Sequence, residues 1–275
     1  MTALGWGRRF LMTPPEHFEV LYEINPWMHR EVAVDADRAM DQWRALVAAL
    51  VGAGAAVETL EARRGLPDLV FTANAGVVDG SRFVPSRFHH PQRQAEVSHY
   101  VAWFESHGYK VVDLPSGTAH EGAGDALPFG KAFLSGSSFR SDAAAADVLA
   151  ALLDVAVVPV HLADPRLYHL DLTFCPLDDR RAMVAPGAWT ADSWRAVESL
   201  VPEPLVLSDD EALAFCANSV VVDRTVVMPT CPPRIGRRLE AWGFDVVVVE
   251  VDEFLKAGGG CRCLTLALDV DPGRG

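Results

Sequence analysis

The chain has 275 residues, 50% of them hydrophobic and 22% charged, which is enough to bury a substantial core. Its net charge of −13 argues against binding to nucleic acid or to an anionic membrane, because both partners require concentrated lysine and arginine. The amino-terminal stretch lacks the apolar core of a secretory signal, and the longest apolar run is interrupted by Asp154 and Pro159. We therefore expect a cytoplasmic protein.

The predicted secondary structure alternates between amphipathic helices and short strands rich in valine. Helical spacing of apolar residues predicts helices at 35–55, 90–109, 142–153, 192–201 and 233–244. Each of these segments is followed by a predicted strand, and the strands lie at 56–60, 110–114, 156–160, 203–208 and 245–251. This alternation is typical of an α/β fold.

An internal repeat relates distant parts of the chain. The stretches "FTANAGVVDGSRFVPS" (71–86) and "FCANSVVVDRTVVMPT" (215–230) share Phe, Ala, Asn, Val, Val, Asp and Pro at an offset of 144 positions. Polar residues recur between them, with spacings of 51, 46 and 47 residues separating Asn74, Asp125, Asp171 and Asn218. The terminal "GGGCRCLTLAL" (258–268) lies about one period further on, which makes five units.

Each unit combines a polar cluster, a strand hairpin, a helix and a further strand. We therefore predict a ring of five α/β modules with the helices outside and the polar clusters near the axis. A doubly wound α/β sheet with chance similarity between the two stretches is the alternative. Neither GxGxxG nor a P-loop is present to indicate nucleotide binding.

The polar clusters contain the candidate catalytic groups. They are Asn74, His120, Glu121, Asp125, His169, Asp171, Asn218, Cys261 and Cys263. A cysteine, a histidine and a carboxylate from different units are the parts of a nucleophilic site, although each could instead be an ordinary buried residue. Glu121 and Asp125 flank a glycine-rich turn, where they are either solvated or form an acidic pocket suited to a guanidinium group.

The cysteines are expected to be reduced. There are five of them and no CxxC pair, which argues against both a disulfide framework and structural zinc. Three glycines before Cys261 allow a ligand to approach the backbone closely. Strand alternation predicts that Cys261 and Cys263 share one face, and likewise His169 and Asp171.

Together these motifs resemble those of the pentein superfamily of guanidino-group-modifying enzymes, and most of all the dimethylarginine dimethylaminohydrolases and bacterial arginine dihydrolases. The resemblance runs from "LMTPPEHFEVLYEINPWM" through "FTANAG", "EGAGD" and "YHLDLTF" to "GGGCRC". It implies a five-bladed, pseudo-symmetric α/β propeller (the pentein fold) and a single catalytic domain over residues 1–275. It also implies arginine or a methylated arginine as the substrate, and neither a metal nor another cofactor. A homo-oligomer is compatible with it.

The resemblance further implies roles for individual residues. Cys263 is the nucleophile, His169 is the general acid/base, and Glu121 orients the histidine or holds the guanidinium. Asp171 resembles a second guanidinium ligand. The remaining implied substrate contacts are Arg87 and Arg140 at the α-carboxylate and Glu23 and Asn25 in a lid near the α-amino group.

Asn74 departs from the arginine deiminase pattern, in which an acidic residue grips the guanidinium. Within the resemblance, asparagine is typical of the arginine dihydrolases, and a neutral amide can hydrogen-bond a neutral ureido group. We therefore expect hydrolysis of L-arginine to ornithine, carbon dioxide and two ammonia through a covalent thiouronium. The alternatives are a dimethylarginine hydrolase that makes citrulline and dimethylamine, an amidinotransferase, and a non-catalytic pentein that binds a partner.

Overall fold

The structure is a computed structural model, and it describes residues 3–272. Within this range the strands form five sheets of three strands each. The strands are β1 (Arg9–Met12), β2 (Ala56–Thr59), β3 (Gly76–Asp79), β4 (Arg82–Pro85), β5 (Lys110–Val111), β6 (Ala126–Phe129), β7 (Ala132–Ser137), β8 (Ala156–His161), β9 (Phe174–Pro176), β10 (Arg181–Val184), β11 (Glu203–Val206), β12 (Val220–Val222), β13 (Thr225–Met228), β14 (Asp245–Val248) and β15 (Leu266–Ala267). The helices are α1 (Ala36–Gly52), α2 (Pro91–Gln94), α3 (Val97–Ser106), α4 (Ala145–Leu153), α5 (Ala191–Leu200), α6 (Asp209–Leu213), α7 (Pro233–Ala241) and α8 (Asp252–Leu255).

Every sheet has the same topology. Two consecutive strands pair antiparallel, and a third strand, reached through a helix, pairs parallel with the second, as β3, β4 and β5 do. The remaining sheet joins both ends of the chain, because β15 pairs antiparallel with β1 while β1 pairs parallel with β2. The predicted pseudo-symmetric propeller of five α/β modules is confirmed, and the doubly wound sheet is wrong.

Local sequence explains the longest helix. The side chain of Asp35 caps α1 by accepting a hydrogen bond from the backbone N–H of Arg38. The helix then buries one side chain per turn, namely Ala39, Gln42, Leu46 and Leu50. Burial of each leucine stabilises the fold by roughly 2 kcal/mol. None of the helices within residues 3–272 has the length and apolarity needed to traverse a bilayer.

The hairpin strands form the centre of the ring. All residues of β3, β6, β10 and β12 are buried, whereas the outer strand β14 exposes Val247 and Val248. Short 3-10 turns precede three of the hairpins, at Thr72–Ala75, Gly122–Gly124 and Leu170–Leu172. Because these turns pack against one another, the polar clusters of different units converge at one end of the axis.

Two predicted elements differ from the structure. The predicted helix at 90–109 is divided into α2 and α3, and the buried ion pair of Arg93 with Glu96 lies at the division. The terminal strand is only β15, because residues 261–264 form a turn closed by a hydrogen bond from Thr265 N–H to the Arg262 carbonyl at 3.0 Å. Alternating leucines imitate a strand in this segment, although its hydrogen bonds are local.

The same error affects the histidine segment. His169 precedes the 3-10 turn Leu170–Leu172, which contains Asp171 and is closed by a hydrogen bond from Thr173 N–H to the Leu170 carbonyl at 2.9 Å. Strand alternation therefore does not govern these side chains, nor those of Cys261 and Cys263. Their directions follow from the turns instead.

Candidate active site

A narrow pocket lies where the polar turns meet, and we refer to it as the cavity. Its wall combines residues from distant parts of the chain. The polar members are Asn25, Asp68, Asn74, Arg93, Arg140, Tyr168, His169 and Cys263. The site therefore depends on the ring closing, because Cys263 is brought to this place only when β15 pairs with β1.

Cys263 lies between a hydrogen-bond acceptor and a donor. Its Sγ donates to Oδ2 of Asp171 at 3.3 Å and accepts from Nδ2 of Asn218 at 3.1 Å. Burial raises the pKa of the Cys263 thiol well above its usual value, and the nearby Asp171 carboxylate raises it further. Burial also raises the pKa of Asp171 to about 7. Both effects favour the protonated thiol over the thiolate.

Glu121 connects His169 with Arg140. Nε2 of His169 lies 2.9 Å from Oε2 of Glu121, while Nε and Nη2 of Arg140 lie 2.8 Å from its two oxygens. Burial tends to raise the pKa of Glu121, but the Arg140 charge and the His169 hydrogen bond outweigh it and hold the pKa below its usual value. Because the ionised carboxylate can only accept, Nε2 carries the proton and the ring orientation is set.

Asp125 binds the turn that follows His169 and does not line the cavity. Its Oδ1 accepts from the backbone N–H of Leu170 at 3.0 Å, and its Oδ2 accepts from Ser141 Oγ at 2.6 Å. Burial raises its pKa to about 6, against the attraction of His169. Both oxygens are thus engaged within the protein, and Asp125 is not on the cavity wall. The Asp125 carboxylate anchors the turn that follows His169, and a contact from it to the substrate stays a prediction that this position does not favour.

Asn74 has a defined amide orientation. Its Oδ1 accepts from Nη1 of Arg93 at 2.9 Å, and its Nδ2 donates to the carbonyl of Glu121 at 2.9 Å. A guanidinium can only donate, so the oxygen must face Arg93. One N–H of the Asn74 amide is used by the Glu121 carbonyl, and the second is left as a donor.

Arg93 is the cavity arginine of the "PSRFHHPQRQAE" segment, and the sequence reading missed it. Its guanidinium donates to both oxygens of Glu96, at 2.9 and 2.8 Å, and to the backbone carbonyl of Asp68 at 3.1 Å. The neighbouring Asp68 carboxylate is also buried, and its Oδ1 has no hydrogen-bond partner. Burial raises the pKa of Asp68, against the charge of Arg93. A lone aspartate within "LPDLVFTANAG" was the available sequence signal for this residue.

Two expected substrate contacts lie outside the cavity. Arg87 is exposed, and its guanidinium donates to the Leu114 carbonyl at 3.1 Å. Its backbone pairs with His120 in an isolated bridge, and its side chain is not on the cavity wall. Glu23 is exposed too, and it accepts from the Arg30 backbone N–H at 3.0 Å. The substrate contacts expected for Arg87 and Glu23 stay predictions that these positions do not favour.

Asn25 does reach the cavity, as part of a segment without regular secondary structure at residues 13–35. Its Nδ2 donates to the carbonyl of Ala257 at 3.0 Å and to the hydroxyl of Tyr168 at 3.2 Å. Nearby, Nε1 of Trp27 donates to the carbonyl of Arg166 at 2.8 Å. These bonds hold the segment against the cavity wall.

Glycine is required at two positions of the terminal turn. Gly258 has a φ of +79°, and a Cβ there would lie 2.8 Å from the Tyr168 hydroxyl. Gly260 permits close approach instead, since a Cβ at that position would lie 2.8 Å from Oδ1 of Asn218. The glycines therefore let the cysteine turn pack directly against the amide that contacts Cys263.

Cys261 is fully buried and is not on the cavity wall. We expect Cys261→Ala to leave the rate at which iodoacetamide alkylates the cavity thiol within about threefold of wild type, while lowering stability by about 1 to 2 kcal/mol through lost packing. Peptide mapping by mass spectrometry and thermal denaturation would measure the two effects. Loss of labelling at Cys263 in this variant would contradict the assignment of Cys263 as the cavity thiol.

No three His, Cys, Asp or Glu side chains among residues 3–272 are grouped as a metal site requires. The expectation that the protein needs neither a metal nor another cofactor stays a prediction.

The family model described as "N,N dimethylarginine dimethylhydrolase, eukaryotic" matches residues 22–269. The bifunctional arginine dihydrolase/ornithine cyclodeaminase AgrE of Nostoc sp. is 42% identical over 263 residues, which cover 94% of this chain and 37% of AgrE. This chain thus spans little more than a third of that relative. The N(G),N(G)-dimethylarginine dimethylaminohydrolase of Mycobacterium tuberculosis is 38% identical over 261 residues, which cover 95% of this chain and 86% of the relative.

Solved structures show the same architecture. The substrate-bound N-terminal domain of ArgZ, an arginine dihydrolase of Cyanobacteria crystallised as a cysteine-to-serine variant, has a TM-score of 0.92 and 39% identity, with 96% of this chain and 99% of that chain covered. An asparagine-to-serine variant of the same domain, covalently bound to a reaction intermediate, has a TM-score of 0.92 and 38% identity, with 96% and 98% covered.

Proposed function

The chain belongs to the N,N-dimethylarginine dimethylhydrolase family, and from this premise we propose that it is a guanidino-group hydrolase that converts L-arginine into ornithine, carbon dioxide and two ammonia. Similarity to the arginine dihydrolase domain of ArgZ supports the reaction, and the orientation of the Asn74 amide is the observation that carries it. The proposal includes a single catalytic domain over residues 1–275, because the matched ArgZ domain is covered almost completely.

The charges of the cavity suit an amino acid with a cationic side chain. Oδ1 of Asp68, on the cavity wall, is buried and has no hydrogen-bond partner within the described chain, so it can accept from a guanidinium. Oδ1 of Asp171 is also buried without such a partner, but Asp171 is not on the wall and reaches the cavity only through its contact with Cys263. Arg93 and Arg140 lie on the same wall and can bind the α-carboxylate. An arriving cation also favours ionisation of the Cys263 thiol, which burial disfavours in the free enzyme.

The first hydrolysis uses Cys263 and His169. The Cys263 thiol gives its proton to Nδ1 of His169, and the resulting thiolate attacks the guanidinium carbon. His169 protonates the departing nitrogen, ammonia leaves, and an S-alkyl thiouronium remains on the sulfur. Because Glu121 holds Nε2 of His169, Nδ1 is the nitrogen available for this transfer. Water deprotonated by His169 then attacks the same carbon, the thiolate leaves, and citrulline is formed.

The second hydrolysis repeats the sequence on the ureido carbon. The thiolate adds to that carbon, the second ammonia leaves, and a thiocarbamate remains. Water releases the thiolate and gives a carbamate of ornithine, which loses carbon dioxide. Two water molecules are consumed per arginine, so the atoms balance with one ornithine, one carbon dioxide and two ammonia.

Asn74 explains why citrulline would be retained. Its second N–H can donate to the carbonyl oxygen of a ureido group, whereas a carboxylate at this position could only accept. A carboxylate would also form an ion pair with Arg93, 2.9 Å away, and would favour the cationic substrate over the neutral product. The neutral amide therefore suits both substrates of the two-step reaction.

Product analysis tests this role. We expect wild type to release two ammonia and one ornithine per arginine, and Asn74→Asp to accumulate citrulline with about one ammonia, because the variant loses its ureido donor. Amino-acid chromatography with enzymatic ammonia determination measures both ratios. Gln92→Glu makes the same amide-to-acid change at an exposed position of α2 and should retain the wild-type ratio. Wild-type enzyme that stopped at citrulline would refute the dihydrolase proposal.

Dimethylarginine hydrolysis is the second candidate. The observations that favour it are the family description and the 38% identity to the Mycobacterium tuberculosis enzyme. Parallel assays with arginine, monomethylarginine and asymmetric dimethylarginine distinguish the two functions. A dimethylarginine hydrolase should release dimethylamine from asymmetric dimethylarginine with a higher kcat/KM than it shows for arginine, and an arginine dihydrolase should not.

A further inference from the structure

Asn218 contacts the reacting sulfur directly. It is fully buried, and its Nδ2 lies 3.1 Å from Sγ of Cys263 and 3.2 Å from the carbonyl of Asp171. Its Oδ1 accepts from the backbone N–H groups of Arg262 at 3.0 Å and Cys263 at 3.3 Å. Those groups can only donate, so the amide nitrogen must face the sulfur.

The internal repeat gives this contact its context. Asn218 occupies the position in its unit that Asn74 occupies 144 residues earlier. The two amides have different surroundings, since Asn74 faces Arg93 while Asn218 faces Cys263. Gly260 lets the cysteine turn approach Oδ1 of Asn218 closely, which brings Cys263 to the amide nitrogen. One repeated asparagine thus has two separate tasks.

The charges around Cys263 indicate what the contact does. The buried environment and Asp171 oppose a negative charge on the sulfur, whereas the backbone N–H of Gly260 and the side-chain amide of Asn218 favour one. Arg262, which is also buried, attracts the charge electrostatically, and Tyr168 and His169 line the same cavity. Within residues 3–272, Asn218 is the only side-chain donor to this sulfur. Without it, the thiolate would face a carboxylate with no compensating side-chain hydrogen bond.

We propose that Asn218 is a catalytic hydrogen-bond donor that stabilises the Cys263 thiolate and fixes the direction of its attack. The inference rests on the proposed nucleophilic role of Cys263. It predicts that the donor is needed both when the sulfur attacks and when it leaves as a thiolate, because both states carry negative charge on sulfur.

Asn218→Asp tests the donor with little change of shape. The carboxylate can keep the two backbone hydrogen bonds, but it presents an acceptor to the sulfur. Alkylation of Cys263 by iodoacetamide is measured by peptide mapping from about pH 7 to 10. We expect its rate in the variant to fall about tenfold or more at each pH below the pKa of the thiol. The kcat/KM for arginine should fall by about 10- to 100-fold and recover partly at higher pH.

Ser219→Ala is the matched control. Ser219 lies next to Asn218, is buried, and donates to the Cys216 carbonyl at 2.7 Å, so its removal disturbs the same turn without touching the sulfur. It should leave the alkylation profile unchanged. Asn218→Ser is a second variant, which removes the donor without adding a charge, and circular dichroism checks that each variant is folded.

Wild-type alkylation rates in folded Asn218→Asp or Asn218→Ser would overturn the inference. An equal loss of kcat/KM at every pH, with unchanged alkylation, would also overturn it, because that pattern indicates a structural role only. The alkylation measurement is independent of turnover. A wild-type protein that failed to hydrolyse arginine would therefore refute the proposed function. The alkylation rates of the Asn218 variants would still test whether Asn218 stabilises the Cys263 thiolate.

Discussion

Cys263→Ser should abolish turnover, with kcat/KM for arginine reduced on the order of 10⁴-fold or more. A serine hydroxyl ionises far less readily than a thiol, and at this position it would lie buried beside the Asp171 carboxylate. The cavity should otherwise persist, so the Kd for arginine measured by isothermal titration calorimetry should change by no more than about threefold. Steady-state ammonia release and calorimetry on the same preparation separate chemistry from binding.

Cys175→Ser is the matched control for this substitution. Cys175 is equally buried, and burial raises its pKa to about 12, but it lies within β9 away from the cavity wall. Its replacement should cost stability without removing activity. Residual turnover above about 1% in Cys263→Ser, after exclusion of contaminating wild-type enzyme, would place the nucleophile elsewhere.

His169→Asn should lower kcat for arginine by about 10³-fold, because the substitution removes the group that protonates the leaving nitrogen and activates water. S-methyl-L-thiocitrulline separates the two steps. Its leaving group, methanethiol, departs with little need for a proton, so Cys263 should still form the thiouronium while the hydrolysis that follows stays slow. Intact-protein mass spectrometry should then detect the covalent adduct in His169→Asn and free enzyme in the wild type.

His120→Asn provides the comparison for that experiment. His120 is also buried, and burial lowers its pKa to about 4, yet it is not on the cavity wall. This variant should turn over arginine at nearly the wild-type rate and accumulate no adduct. If His169→Asn hydrolysed S-methyl-L-thiocitrulline as fast as wild type, His169 would not be the base of the second step.

The distinction between Arg87 and Arg93 shows where sequence reasoning reached its limit. Both arginines lie in one short motif, six positions apart, and both have the chemistry to bind a carboxylate. Arg87 is exposed and lies outside the cavity, whereas Arg93, which is buried on α2, lines it. Neither contact leaves a periodic signal in the chain.

The acidic residues illustrate the same limit. Glu121, Asp125 and Asp171 were expected near the substrate, but only the structure shows that Glu121 bonds His169, that Asp125 anchors a turn, and that Asp171 lies against the thiol. Asp68, which no sequence argument selected, has an unpartnered oxygen at the cavity. Carboxylates of identical chemistry acquire different tasks from their neighbours.

The order of residues by itself determined the five-unit repeat, the alternation of helices with strands and the family, because hydrophobic periodicity and recurring motifs are properties of the chain read locally. The tertiary structure alone decided which polar side chains line the cavity and which hydrogen-bond to those residues or to their turns. Those roles depend on distances of about 3 Å between residues up to 92 positions apart, and such distances are set by how the five sheets close into a ring.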